Sequence, residues 1–250
     1  MKSKEGNLNF AKDTRLHVYL ARCAIASRRA CEQIILSGRV SVNGKVITRL
    51  GFKVGKQDAI TLDGREVKPV ESLVYIALHK PAGYLCANSD KYGRKLAKEL
   101  IQAKIPQRLF HIGRLDYLSS GLIFFTNDGN FSEIVTHPRY NVEKEYLVTA
   151  KNMISDQVLD KYVEGIKIKG VCYCAKCYRR LSSKKVRLTL VQGKNREIRK
   201  VLGAFGITIK TLQRIRIGCV TLGGLKSGKY RQLTSGEVKW FYKSDSKCVH

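Results

Sequence analysis

Acidic residues are scarce in this 250-residue chain: twenty Asp and Glu stand against forty-seven Lys and Arg, a formal net charge of +27. Solubility asks for no such excess, and its size points to a polyanionic partner. Long apolar runs are missing too. The longest stretch without a charged residue, Tyr117 to Asn127, is eleven residues, whereas a membrane-spanning helix needs about 20. No membrane partner is therefore expected, and nucleic acid remains. No apolar segment follows the first positive charges, Met1 to Asn7, so a secretory signal is not expected and the expected location is the cytosol. The eight cysteines should then be reduced. Three of them, Cys172-x-Cys174-x-x-Cys177, have a spacing that invites zinc. No second Cys-x-x-Cys or His pair completes a ligand set, so alternating strand residues are the plainer reading and no metal is expected.

Cofactor signatures are absent as well. There is no Gly-x-Gly-x-x-Gly fingerprint, no His-Glu-x-x-His pair and no Gly-x-Ser-x-Gly elbow. Gly223 to Lys229 has the spacing of a phosphate loop, but Tyr230 stands where Ser or Thr would hold magnesium, and Arg231 to Gly236 is a poor helix start. A basic turn is the better reading, and an enzyme built on this chain is expected to need no cofactor. What is present is ordinary for a globular protein, 44% hydrophobic and 27% charged, which excludes a disordered or fibrous chain.

The pattern changes once along the chain. Arg15 to Leu20 has helical apolar spacing, and Ser27 can cap a second helix that stops at Gly38. Val40-Ser41-Val42 and Lys45-Val46-Ile47 then alternate around Asn43-Gly44, and Ile60-Thr61-Leu62 turns at Asp63-Gly64, both strong hairpin signals. This two-helix-plus-hairpins unit is placed at residues 14–68. Residues 1–70 carry fourteen Lys and Arg against six acids, so RNA or DNA contact is favoured over a merely solvated basic face. Residues 73–243 form a second domain. Its apolar segments Leu73 to Leu78, Gly121 to Thr126, Glu145 to Thr149 and Val186 to Val191 read as strands, with helices at Lys95 to Gln102, Ser155 to Glu164 and Asn195 to Phe205. The irregular order of strands and helices argues for an α+β fold with a mixed, largely antiparallel sheet.

One acidic residue stands out in a basic chain. Asp116 lies in Gly113-Arg114-Leu115-Asp116, beside Arg114 and just before the most apolar strand, which is followed by the turn Asn127-Asp128-Gly129. Such a carboxylate is either a structural ion pair or an anion held ionised for attack, and the spacing alone leaves both open.

The order of several short motifs resembles the pseudouridine synthases of the RsuA type, over almost the whole chain. The N-terminal S4-like RNA-binding module of that family is matched by Arg15-Leu16, Ser27-Arg28-Arg29, Gly38 to Gly44 and Gly51. The catalytic-domain motifs are matched by Lys80-Pro81-Ala82-Gly83, Gly113 to Asp116, Gly121-Leu122, Thr126 to Gly129, Lys144-Glu145-Tyr146 and Gly193 to Arg199. Ser119 stands where most members have Thr, and His79 where Asn is frequent.

The resemblance implies isomerisation of a uridine in ribosomal RNA. The bond from ribose to N1 breaks, the base rotates, and C5 is rejoined to the sugar. Asp116 would be the acting carboxylate, whether it attacks the sugar or removes a proton from it. Lys194 would hold it ionised, and Tyr146 would stack on the uracil and assist proton loss from C5. The base must first leave its stack, at about a few kcal/mol, and Arg114 would fill the gap with its planar guanidinium. Arg28, Arg29, Arg39, Lys144, Arg196 and Arg199 would contact RNA. Asn195-Arg196-Glu197 is the reading of large-subunit members, where small-subunit members tend to carry Tyr-His-Gln. A large-subunit RNA target and a monomer are expected. The competing reading is a non-enzymatic, S4-type ribosome-assembly factor.

Overall fold

A computed structural model describes residues 14–102 and 105–245; the polar start, Met1 to Asn7, lies outside them. The chain falls into two compact units that divide between Leu73 and Val74.

The first unit runs β1 (Thr14–Arg15), α1 (Leu16–Arg22), α2 (Arg28–Leu36), β2 (Val40–Val42), β3 (Lys45–Val46), β4 (Lys53–Val54), β5 (Ile60–Leu62) and β6 (Arg65–Glu66). The Ser27 hydroxyl accepts from the Ala30 N–H at 3.3 Å and caps α2. Asn43-Gly44 and Asp63-Gly64 both take left-handed backbone, the conformation a two-residue hairpin demands. They close β2 on β3 and β5 on β6, and β2 joins β5 to make a four-stranded sheet. Leu16, Leu20, Cys31 and Ile35 from the helices pack on Val40, Val42 and Ile60 of the sheet, leaving Arg28 and Arg29 exposed on the first turn of α2.

The second unit opens with β7 (Tyr75–Lys80), α3 (Glu99–Gln102), β8 (Phe110–Ile112), β9 (Ser120–Thr126), α4 (Gly129–Thr136) and β10 (Lys144–Ala150). It continues through α5 (Asp156–Glu164), β11 (Ile166–Ile168), β12 (Val171–Tyr173), β13 (Cys177–Ser182), β14 (Lys185–Leu190) and α6 (Glu197–Ala204). It ends with β15 (Ile209–Ile217), β16 (Val220–Thr221), β17 (Tyr230–Gln232) and α7 (Ser235–Asp245). The main sheet has the order β13-β14-β10-β15-β9-β7-β17, with β16 on β15 and β8 on β9. The fold is α+β, and the sheet is mixed: among the described strands every pairing in it is antiparallel except β15 with β9.

Strand β9 is buried on both faces, and its side chains alternate between two cores. Ile123 and Phe125 join the core under α5 and α6, whereas Leu122 and Phe124 join Phe131 of α4 and Phe241 of α7 on the other side. Two local expectations are corrected here. Asn127-Asp128-Gly129 is not a free turn: the buried Asp128 carboxylate accepts from the Asn130 and Phe131 N–H groups and caps α4, and it also accepts from the Tyr75 and Tyr242 hydroxyls. The segment Arg231 to Gly236 does start a helix. Thr234 and Glu237 exchange hydrogen bonds with each other's backbone N–H groups and box the N-terminus of α7.

Candidate active site

The register of the sheet assembles a site from residues far apart in sequence. Tyr146 of β10 is paired with Arg214 of β15, Arg214 with Gly121 of β9, and Gly121 with Lys80 of β7. Directly paired residues share a face, so these four form one row across the sheet. Gly121 has φ +111°, and a Cβ there would lie 2.2 Å from the Arg214 carbonyl oxygen. Only glycine lets β9 and β15 approach at this point.

The loop from β8 to β9 carries Asp116 over this row. Gly113 turns it with φ +66°, the buried Leu115 anchors it, and the Gly83 N–H donates to the Tyr117 carbonyl at 2.8 Å. A cleft of about 210 Å3 results, with Leu115, Leu190, Ile198 and Leu212 as its apolar lining and Asp116, Lys144, Tyr146, Glu197 and Arg214 as polar groups. Arg114, Lys194 and Arg196 also line it and are exposed. Arg196 takes left-handed backbone, φ +52°, at the start of α6.

The cation paired with Asp116 is Arg199, not Lys194. Arg199 projects from α6 with Nε 3.4 Å from the Asp116 carboxylate, and its Nη2 donates to the Leu118 carbonyl at 3.2 Å and to the Ser119 hydroxyl at 3.1 Å. One side chain thus pairs with the acid and ties down the turn beside it. Lys194 precedes the helix and turns away. Its ammonium donates to the Cys172 carbonyl and lies 5.7 Å from the centroid of the Tyr173 ring, so β12 holds the charge that was expected at Asp116.

Burial sets the electrostatics of the floor. Lys80 is fully buried and donates to the Pro81 and Tyr84 carbonyls at 2.7 and 2.9 Å. Loss of solvent pulls its pKa down, with Arg214 adding to this while Cys86 and Asp116 oppose it. Lys144, beside Tyr146 on β10, donates to the Val142 carbonyl at 2.8 Å; burial first and Arg214 second bring its pKa to about 8. Burial raises the pKa of Glu197, opposed by donation from the Lys194 N–H and the Tyr162 hydroxyl. Burial also lowers that of Arg199, which Asp116 counteracts.

Arg28, Arg29 and Arg39 are exposed in the first unit, and Arg39 is bound in a fork by Asp63, Nε to Oδ1 at 2.9 Å and Nη2 to Oδ2 at 2.5 Å. Cys172, Cys174 and Cys177 are exposed, free thiols, and no three His, Cys, Asp or Glu side chains among the described residues gather to hold a metal. No described helix is long and apolar enough to cross a membrane. Sequence reasoning missed Arg214 and gave Lys80 no role. An Arg on a strand carries no local mark of burial, and only the pairing of β10, β15 and β9 brings it to the cleft.

Comparison with known proteins agrees with this architecture. A family model described as RNA pseudouridylate synthase matches residues 74–204, and an S4 domain model matches residues 14–60. A relative from Borreliella burgdorferi, named as an uncharacterized RNA pseudouridine synthase, is 43% identical over 224 residues, 88% of this chain and 90% of its own. The ribosomal large subunit pseudouridine synthase B of Bacillus subtilis is 39% identical over 231 residues, 90% of this chain and 94% of its own. A solved pseudouridylate synthase superposes with a TM-score of 0.68 at 27% identity, covering 91% of this chain and 99% of that one. With an S4 domain ahead of its catalytic unit, the chain belongs to the RNA pseudouridylate synthases, which are isomerases.

Proposed function

We propose that this synthase isomerises a uridine of ribosomal RNA, in the large subunit, with Asp116 as the acting carboxylate on a nucleotide turned out of its stack. The observation that supports the assignment of Asp116 is its ion pair with Arg199 at 3.4 Å on the wall of the cleft. A cation there offsets the repulsion between the carboxylate and an anionic RNA backbone. In the reaction C1′–N1 breaks, C5–C1′ forms, C5 gives up its proton and N1 gains one. Tyr146 offers its ring as a surface for the uracil and its hydroxyl oxygen as a station for the departing proton. Arg114, exposed on the lip, stacks where the base has left.

Two observations support the ribosomal target. The Bacillus subtilis relative is named for the large ribosomal subunit, and Arg196 of Asn195-Arg196-Glu197 presents a planar donor at the mouth of the cleft. The S4 unit, with Arg28 and Arg29 exposed, adds RNA affinity without chemistry. Asp116→Asn keeps the size and removes the charge. RNA binding should survive while tritium release from RNA carrying 5-tritiated uridine stops, and unchanged release would remove Asp116 from the chemistry. Carbodiimide mapping of both ribosomal RNAs from cells with and without the gene tests the target. A pseudouridine that vanishes only from the small-subunit RNA would move the target there.

A further inference from the structure

Arg214 is a cation that the fold buries without supplying an acid. It is 4% exposed. Its Nε donates to the Leu122 carbonyl at 2.7 Å, its Nη1 lies 3.5 Å from the Tyr146 hydroxyl, and its Nη2 is buried with no hydrogen-bond partner among the described residues. A buried donor left without an acceptor is destabilising, so an apolar or neutral side chain would make a more stable strand. Its charged neighbours have the same sign: Lys144 lines the cleft with it, and Lys80 is buried in the same row of the sheet. Lys80 and Lys144 both interact electrostatically with Arg214, and both are bound by backbone carbonyls rather than carboxylates. The two acids that line the cleft are engaged elsewhere: Asp116 with Arg199, and Glu197 with the Lys194 N–H and the Tyr162 hydroxyl. Positive charge is therefore in excess at the floor.

We propose that Arg214, with Lys144 beside it, binds the uracil ring and stabilises the negative charge that the base takes up when its bond to the sugar breaks. This rests on the synthase function proposed above. Heterolysis of C1′–N1 leaves the electron pair on the base, where it spreads over N1, O2 and O4, and leaves C1′ electron-poor on the side of the Asp116 carboxylate. No oxidant or reductant takes part. When C5 bonds to C1′ an electron pair of the ring forms the new bond, and the two cations are left unchanged. A phosphate is the other anion such a group could meet. It fits the rim better, where Arg114 and Arg196 are exposed, whereas Arg214 lies on the buried floor in a row with Tyr146. Because the charge exists on the base only once the bond is breaking, these contacts act on the rate more than on affinity.

The test uses the full chain and ribosomal RNA transcripts of both subunits, made with uridine or with 5-fluorouridine, whose fluorine stabilises the departing base anion. Loss of the parent nucleoside is followed in single turnover. Arg214→Gln should slow reaction at uridine by about 10²–10³-fold, the usual effect of removing one donor from a developing anion, with RNA affinity little changed. The loss at 5-fluorouridine should be much smaller, because that base needs less help. Arg214→Lys should recover part of the rate at uridine, and if Arg214→Gln does not fold, the ratio of the two bases is read on Arg214→Lys. Equal losses on both bases, or a loss confined to affinity, would overturn the proposal. Wild-type turnover on the uridine transcripts tests the proposed function itself, so the two ideas fail separately.

Discussion

Replacing Gly121 with alanine should damage the protein at the joint on which the site depends. The added Cβ would meet the Arg214 carbonyl oxygen at 2.2 Å, its nitrogen at 2.5 Å and its carbonyl carbon at 2.9 Å. All three are backbone atoms, so no side chain can swing aside, and β9 and β15 must part by about 1 Å or more. Only two residue pairs join these strands, Gln213 with Ser120 and Arg214 with Gly121, and parting them opens the row that holds Tyr146, Arg214 and Lys80. A non-glycine residue at φ +111° adds strain of about 1–3 kcal/mol, and overpacking adds a further ~1–3 kcal/mol. A loss of about 4 kcal/mol follows, equivalent to roughly 8–16 °C in melting temperature for a unit of this size. Thermal and urea unfolding followed by circular dichroism measure it. Gly113→Ala is the control, since Gly113 is also left-handed at φ +66° but a Cβ there meets nothing within 4 Å; it should lose about 1 kcal/mol. If Gly121→Ala is no less stable than Gly113→Ala, the close approach of the two strands is not what the glycine serves.

Arg199→Met removes both the partner of Asp116 and the tie to Leu118 and Ser119, and turnover should fall by about 10²-fold with a smaller change in RNA affinity; undiminished turnover would show that the ion pair is only structural. Lys194→Met should act on binding instead, flattening the salt dependence by about one unit of slope and leaving turnover at saturating RNA nearly intact. A collapse of turnover would return Lys194 to the reacting atoms. Burial lowers the Lys144 pKa to about 8, so its charge is present below that pH and is lost as pH rises through it, well before an exposed lysine would titrate. Turnover should therefore decline through about pH 8, and the pH profile of Lys144→Met should lack that limb.

Much of this arrangement could be read from the sequence because local chemistry specified it. Ser27 before a helix, and Asn43-Gly44 and Asp63-Gly64 between alternating residues, each decide a conformation within a few residues. The apolar segments that became β7, β9, β10 and β14 were long enough to declare themselves. Asp128 was misread because an N-cap and a turn use the same residue types, and what separates them is the helix packed beyond. Arg231 to Gly236 was read as a poor helix start although Thr234-x-x-Glu237 is a capping box.

The site divided in the same manner. Asp116 could be singled out, since one acid in a basic segment is conspicuous and its motif is contiguous. Its partner could not. Lys194 and Arg199 are both basic and lie in one motif, and which of them reaches the acid depends on where α6 begins and on the direction each side chain takes. Arg214 left no trace at all, because its burial and its neighbours come from pairings with strands more than sixty residues earlier.

The position of β15 has a consequence for how the protein is made. This strand lies between β10 and β9 in the middle of the sheet, yet it is among the last to be synthesised. The segment matched by the synthase family model, residues 74–204, stops short of it. While the chain is emerging from the ribosome, the main-sheet strands of residues 75–190 form two separate patches, each with an unsatisfied edge where the central strand will enter. Until Ile217 has been added, Tyr146 and Gly121 have nothing to bring them together, and Asp116 overlies a gap. The recognisable part of the enzyme is thus complete in sequence before it can be complete in space, and the strand that closes it also delivers the buried cation.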